Sequence, residues 1–233
     1  MNITEISKIK KIIVLSNHKD ETLKEIPHLI TNAHPNTLLD IAKGMSREGT
    51  LPLVVADNLT IPSNIEEHII ILTKEKQNIQ TGQSNITHIE TSTKNETEEA
   101  IIAAALNPKP YLLTPYSTAK KQKEFTIGRL DMLNTGEKCT IVADTPSISH
   151  AIKDTQKLKE QGIDCTLLHC HTLNPIDKHT LLSCASTTKN IVCTERIASN
   201  IARILQENNG VPLTVVQNNE FIHAVRTSIK KII

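Results

Sequence analysis

The chain has 233 residues, 26 of them basic and 25 acidic, for a net charge of +1, and it holds 7 Gly, 10 Pro, 2 Phe, 2 Tyr and no Trp. Balanced charge without long basic runs, and too few aromatic rings to stack bases, exclude a dedicated nucleic-acid binder. No GxGxxG or GxxxxGK[ST] is written anywhere, and no stretch approaches the ~20 apolar residues of a membrane span.

In chain order, Lys11 to Leu15 reads as a first strand. Two helical stretches follow, near Asp20 to Ile30 and Asn36 to Arg47. Leu51 to Ala56, His68 to Leu72 and Ile86 to Glu90 are apolar, β-branched runs of strand length. Thr93-x-x-Glu96 has the form of a capping box ahead of a helix over Glu98 to Leu106. Lys109 to Leu113 is a further strand, and the polar segment Thr114 to Glu124, with Pro115 and Lys120-Lys121, reads as a linker. The clusters Lys8, Lys10, Lys11 and Lys120, Lys121, Lys123 read as solvated.

Beyond the linker the alternation sharpens. Cys139 to Ala143 is a strand, and Pro146 opens a helix reaching Gln161, with Gly162 just past its end. Asp164 to Leu168 is a strand, and Asp177 caps a helix carrying Leu181, Leu182 and Ala185. Asn190 to Thr194 is a strand ahead of a helix with Ile197, Ile201, Ile204 and Leu205 on one stripe. Val211 to Val216 and a helix with Phe221, Ile222, Val225 and Ile229 close the series. Strands alternating with helices in this way predict mostly parallel sheets with helices on both faces. The expectation is an α/β protein of two three-layer α/β/α domains, residues 1–118 and 119–233.

The first fifteen residues hold no apolar run long enough for a signal peptide. The cysteines Cys139, Cys165, Cys170, Cys184 and Cys193 are odd in number and never form CxxC, which fits free thiols in a cytoplasmic protein. Cys165, Cys170, His169 and His171 invite a metal reading. A strand there would turn alternate side chains to opposite faces, and no tetrahedral ligand spacing occurs, so no metal site is expected.

Thr126 to Arg129, Gly136 to Ala143, Gly162-Ile-Asp164, His171-Thr-Leu-Asn-Pro-Ile-Asp177 and Val192-x-x-Glu195 together resemble the C-terminal domain of the transketolase family. More weakly, Asn36 to Pro52, with Ala42, Gly44 and Gly49 in matching places, is similar to that family's pyrimidine-binding domain, as is Ile86 to Leu113. The resemblance is strong over 126–205 and fainter over 11–113. It implies a pyrimidine-type domain followed by a C-terminal domain, without the separate domain that holds the metal and the diphosphate of thiamine diphosphate.

The resemblance also says what such chemistry needs: a glutamate that protonates the aminopyrimidine ring, and aromatic side chains around that ring. The glutamate position falls on His34 or Pro35, and the nearest acids are Glu25 and Asp40, too far displaced for proton transfer. No Phe or Tyr lies between Pro52 and Tyr111, and no Arg between Arg47 and Arg129 to hold a substrate phosphate. His34 and Asp40 are therefore weak catalytic candidates; a loop residue and an exposed helix residue are the plainer readings. His171, Asp177 and Glu195 sit where strands meet their loops, the ligand edge of an open α/β sheet, and are candidates for a crevice or an interface.

Three functions remain open at this point. One is a degenerate, thiamine-inactive binding or assembly subunit, homodimeric or paired with a transketolase N-terminal-type chain. Another is the beta half of a split transketolase-type enzyme, moving a two-carbon ketol unit with thiamine diphosphate and Mg only when a partner completes the site. The last is a small ligand sensor using the C-terminal domain alone.

Overall fold

The structure is a computed structural model that describes residues 2–16, 23, 25–31, 33–73, 84–116, 125–208, 210–217 and 219–230. These residues form two compact units. One includes everything described up to residue 116 together with Phe125–Ile127; the other takes Gly128 onward.

The first unit runs α1 (Ile3–Lys10), β1 (Ile12–Ser16), β2 (His28–Ile30), α2 (Pro35–Arg47), β3 (Leu51–Val55), β4 (Ile70–Leu72), β5 (Thr87–Thr91), α3 (Lys94–Leu106) and β6 (Tyr111–Pro115). Its strands lie in the order β5-β6-β4-β3-β1-β2, and every described pairing among them is parallel. A parallel sheet must be covered on both faces, and alternate residues divide accordingly. Val14, Leu53, Ile70 and Leu113 pack beneath α1 and α3, whereas Leu15, Val54, Ile71 and Leu112 pack beneath α2.

The second unit runs β7 (Asp131–Asn134), β8 (Cys139–Asp144), α4 (Ile148–Glu160), β9 (Cys165–Cys170), β10 (Thr172–Asn174), α5 (Lys178–Thr188), β11 (Ile191–Thr194), α6 (Glu195–Glu207), β12 (Leu213–Val216) and α7 (Phe221–Lys230). Five of its strands form a sheet in the order β12-β11-β8-β9-β7, parallel except for the edge strand β7. Ile141, Ala143 and Leu167 face α4 and α7; Val142, Leu168 and Cys193 face α5 and α6. This is the doubly wound arrangement that the alternation predicted.

Local differences from the sequence reading have physical causes. The helix expected over Asp20 to Ile30 is not continued at its end: His28–Ile30 is β2, paired in parallel with β1. Pro27 just before it disfavours helical backbone at Ile26, so the chain leaves the helical region there; positions 20–22 lie outside the described residues. The N-terminal helix α1 was not anticipated, although Asn2 and Glu5 form a complete capping box. At Thr93 the box is half-formed: its side chain accepts from Glu96 N, while Glu96 Oε2 accepts from Ser92 N at 2.6 Å instead. The supposed linker begins later than expected, because Thr114 and Pro115 still belong to β6; residues 117–124, with Lys120, Lys121 and Lys123, lie outside the described residues. Lys8, Lys10 and Lys11 are exposed.

Candidate functional site

In a parallel α/β sheet the ligand edge is the one where strands end and helices begin. In the first unit that edge holds Ser16 at the end of β1, Thr73 just past β4, and the start of α2. Thr73 Oγ1 donates to Asp57 Oδ1 at 3.2 Å. His34 is the N-cap of α2: its Nδ1 accepts from the backbone N–H of Asn36 at 3.3 Å, and Pro35 occupies the first helical position. Both are starting devices for a helix, since proline has no N–H to lose there. The first turn of α2 contains no acidic residue. Asp40 lies a turn further on, its side chain 76% exposed, and pairs with Lys43 at 3.3 Å. Thus His34 and Asp40 share a helix but are not brought together into an acid–base pair.

Of the described aromatic residues of this unit, Tyr116 directly follows β6 at that edge, a single ring where a wall needs several. Tyr111 is buried in the core under α3, and Phe125 packs against the same core. The donor set at α2 therefore does not fit the activation of an aminopyrimidine ring, which requires a carboxylate within hydrogen-bond reach.

In the second unit the edge is richer. His169, the penultimate residue of β9, pairs with Ala143 of β8 and with Asp131 of β7. Its Nε2 lies 3.0 Å from Thr145 Oγ1. His171 follows β9; its Nδ1 lies 3.1 Å from Thr172 Oγ1, and its Nε2 lies 3.8 Å from Asp131 Oδ2. The two imidazoles meet edge to face with centroids 5.8 Å apart. Burial holds both neutral. Desolvation and the neighbouring His171 push His169 down to about 3, and desolvation pushes His171 to about 4. Next to them Asp144, 1% exposed, takes Arg196 Nη1 on Oδ2 at 3.3 Å. That ion pair ties β8 to the start of α6, across the point where the strand order reverses. Asp144 Oδ1 and Thr194 Oγ1 have no hydrogen-bond partner among the described residues.

Asp177 caps α5. Its Oδ1 accepts from Thr180 N at 3.1 Å, and its Oδ2 accepts from Thr180 Oγ1 and Leu130 N. Burial alone would raise this carboxyl, but those donors hold it below its ordinary value. Glu195 is the exposed first residue of α6, where the helix dipole favours an acid. Of the three candidates at this edge, only His171 joins the buried polar cluster. Of the cluster's other members, His169 was weighed only as a metal ligand, and Asp131, Asp144, Thr145 and Arg196 were not singled out; the usable signal was a strand ending in Asp-Thr-Pro at the carboxyl edge. A metal across Cys165 and Cys170 is ruled out by facing: Cys165 lies in the core under α4 and α7, Cys170 in the core under α5 and α6. What this edge does chemically is hold neutral imidazoles and a buried ion pair in fixed hydrogen bonds; it presents no activated nucleophile among the described residues.

Known proteins resemble this chain in sequence and in fold. Residues 128–219 match the family described as transketolase, C-terminal domain. The 6-deoxy-6-sulfo-D-fructose transketolase subunit of Clostridium sp. (strain MSTE9) is 33% identical over 96 residues, covering 39% of this chain and 30% of that protein. One subunit of the apulose-4-phosphate transketolase of Actinobacillus succinogenes is 26% identical over 98 residues, covering 40% and 31%. The matched stretch thus spans about a third of either curated relative. Among solved structures, a split-gene transketolase described as an inactive beta4 tetramer superposes with a TM-score of 0.81 at 17% identity, over 98% of this chain and 95% of that one. The transketolase of Campylobacter jejuni gives 0.67 at 9% identity, over 99% of this chain and 44% of that one. These superpositions establish the fold.

Proposed function

From the match of residues 128–219 to the transketolase C-terminal domain family, we propose that the chain is a transketolase-type subunit that assembles with a partner and does not itself activate thiamine diphosphate. The observation that carries this reading is the start of α2, where a histidine N-cap and a proline occupy the place at which the resemblance puts the activating glutamate. The partner is a chain that supplies the diphosphate-binding domain. The curated relatives named as transketolase subunits support a divided enzyme. A homodimer is the expected state of the chain alone. Five free, buried cysteines fit a reducing cytoplasm.

Calorimetric titration of the purified chain with thiamine diphosphate and Mg²⁺ tests the reading. No saturable binding is expected up to millimolar cofactor. Micromolar binding by the chain alone overturns it.

A second reading is a working beta subunit that moves a two-carbon ketol unit in a complete complex, and the relatives' names favour it equally. Reconstitution with the partner chain separates the two. Ketol transfer from a ketose phosphate that is abolished by His34→Ala or Asp40→Asn establishes the second; a stable complex whose turnover ignores both variants leaves the first.

A further inference from the structure

Cys139 is the first residue of β8, and Cys165 is the first residue of β9. The two strands are parallel neighbours, and their register sets Cys139 directly beside Cys165. Both side chains lie on the same face of the sheet, in the core beneath α4 and α7. Neighbouring strands run about 4.8 Å apart, which is inside the roughly 4.4–6.8 Å Cα separation that a disulfide spans. The other thiols are not set out this way. Cys170 and Cys193 occupy the opposite face, on β9 and β11, with β8 between them. Two strand spacings make about 9.6 Å, beyond the ~7 Å that a disulfide bridges without backbone movement.

The two thiols of the pair also act on each other, and not symmetrically. In the neutral pair each has a backbone oxygen in reach: Cys139 Sγ lies 3.6 Å from Thr140 O, and Cys165 Sγ lies 3.9 Å from Ile163 O. Once Cys165 ionises, the Cys139 S–H can turn to its thiolate. That hydrogen bond holds Cys165 below its ordinary value, against burial and Asp164, which push it up. Cys139 is pushed up by the same contact and by burial. The thiolate is the nucleophilic form of cysteine, so Cys165 is the attacking sulfur and Cys139 the resolving one.

We propose that Cys139 and Cys165 are a modification site, a dithiol that hydrogen peroxide closes into a reversible disulfide between β8 and β9. The Cys165 thiolate attacks one peroxide oxygen and the O–O bond breaks. The departing hydroxide takes up a proton as water, and Cys165 is left as a sulfenic acid. Cys139 sulfur then attacks the Cys165 sulfur. The S–S bond forms, the S–O bond breaks, and the sulfenic hydroxyl leaves with the Cys139 proton as a second water. In sum, two thiols are oxidised by two electrons and one peroxide is reduced to two waters. Both sulfurs are buried in the closed fold, which selects for an oxidant little larger than water. Each cysteine begins its strand, and strand ends open at lower cost than strand centres.

Peptide mapping of the purified full chain tests the proposal. The folded protein is treated with millimolar hydrogen peroxide, quenched with catalase, then unfolded and alkylated with iodoacetamide. One linked peptide pair is expected, joining Cys139 to Cys165 with a loss of about 2 Da for the two thiol hydrogens. Cys170, Cys184 and Cys193 should carry the alkyl label, and dithiothreitol should restore label at all five. In Cys139→Ser the resolving thiol is gone, so dimedone should trap a sulfenic acid at Cys165. The wild-type map stands by itself should that variant not fold. Peroxide treatment in denaturing urea should scramble the pairing, because the preference comes from the strand register. Linkage through any other cysteine of the folded chain, linkage between chains, sulfinic acid without linkage, or a pair that stays reduced overturns the assignment.

Discussion

His169 and His171 show how a residue's surroundings decide its chemistry. Each is a base that burial keeps neutral in the folded chain, while in the unfolded chain each titrates at its ordinary value near 6.5. Above that value the two states bind equal numbers of protons and the histidines cost nothing. As pH falls from 6.5 toward the folded values of about 3 and about 4, protons bind the unfolded chain preferentially, and stability is lost. At pH 5 the loss is about 2 kcal/mol per histidine. Urea unfolding between pH 7.5 and pH 5 should show this decline, and His169→Asn/His171→Asn should flatten it even though the variant starts from a lower stability. Asp177 makes the complementary case. Its three accepted hydrogen bonds fix α5 and the segment at Leu130, so Asp177→Ala should cost about 1–2 kcal/mol in urea unfolding, and Asp177→Asn less.

At the scale of elements, period and punctuation made most of the second unit readable. Ile141 to Ala143 and Ile191 to Cys193 run apolar without alternation because both faces of their strands are covered. Asp177 caps the helix it was expected to cap. β2, β7 and β10 escaped notice because three or four residues carry too little pattern to separate strand from loop. The candidate site was legible only in part, and for a different reason. His171 stands at a strand end and could be named from sequence, whereas its neighbours Asp131 and Asp144 come from other strands that only the sheet order brings alongside. Turns give a sharper test. Gly136 precedes β8 where a Cβ would stand 2.5 Å from the backbone of Asp164 and Cys165. Backbone cannot yield as a side-chain tip can, so Gly136→Ala should cost about 1–3 kcal/mol in unfolding experiments. Gly49 has open space around it but a φ of +80°. Gly49→Ala should therefore cost about 1 kcal/mol through backbone strain alone.

Taken whole, the molecule carries two sheets whose carboxyl edges have unequal chemistry. On the proposed reading, the first edge offers a histidine cap and a helix-starting proline where the resemblance puts the activating acid, while the second keeps a buried, hydrogen-bonded cluster with no activated nucleophile among the described residues. If the chain is the proposed subunit, adding the chain that supplies the diphosphate-binding domain should raise its thermal midpoint by mass action. All five cysteines lie between Cys139 and Cys193, and all are buried; the first unit contains none. The thiols are thus a built-in clock for one half of the protein. A disulfide reagent such as Ellman's can reach Cys139, Cys165, Cys170 and Cys193, all 0% exposed, only when the second unit opens, so in a Cys184→Ser variant, which removes the thiol that is 7% exposed, the rate of colour release reports that unit's excursions.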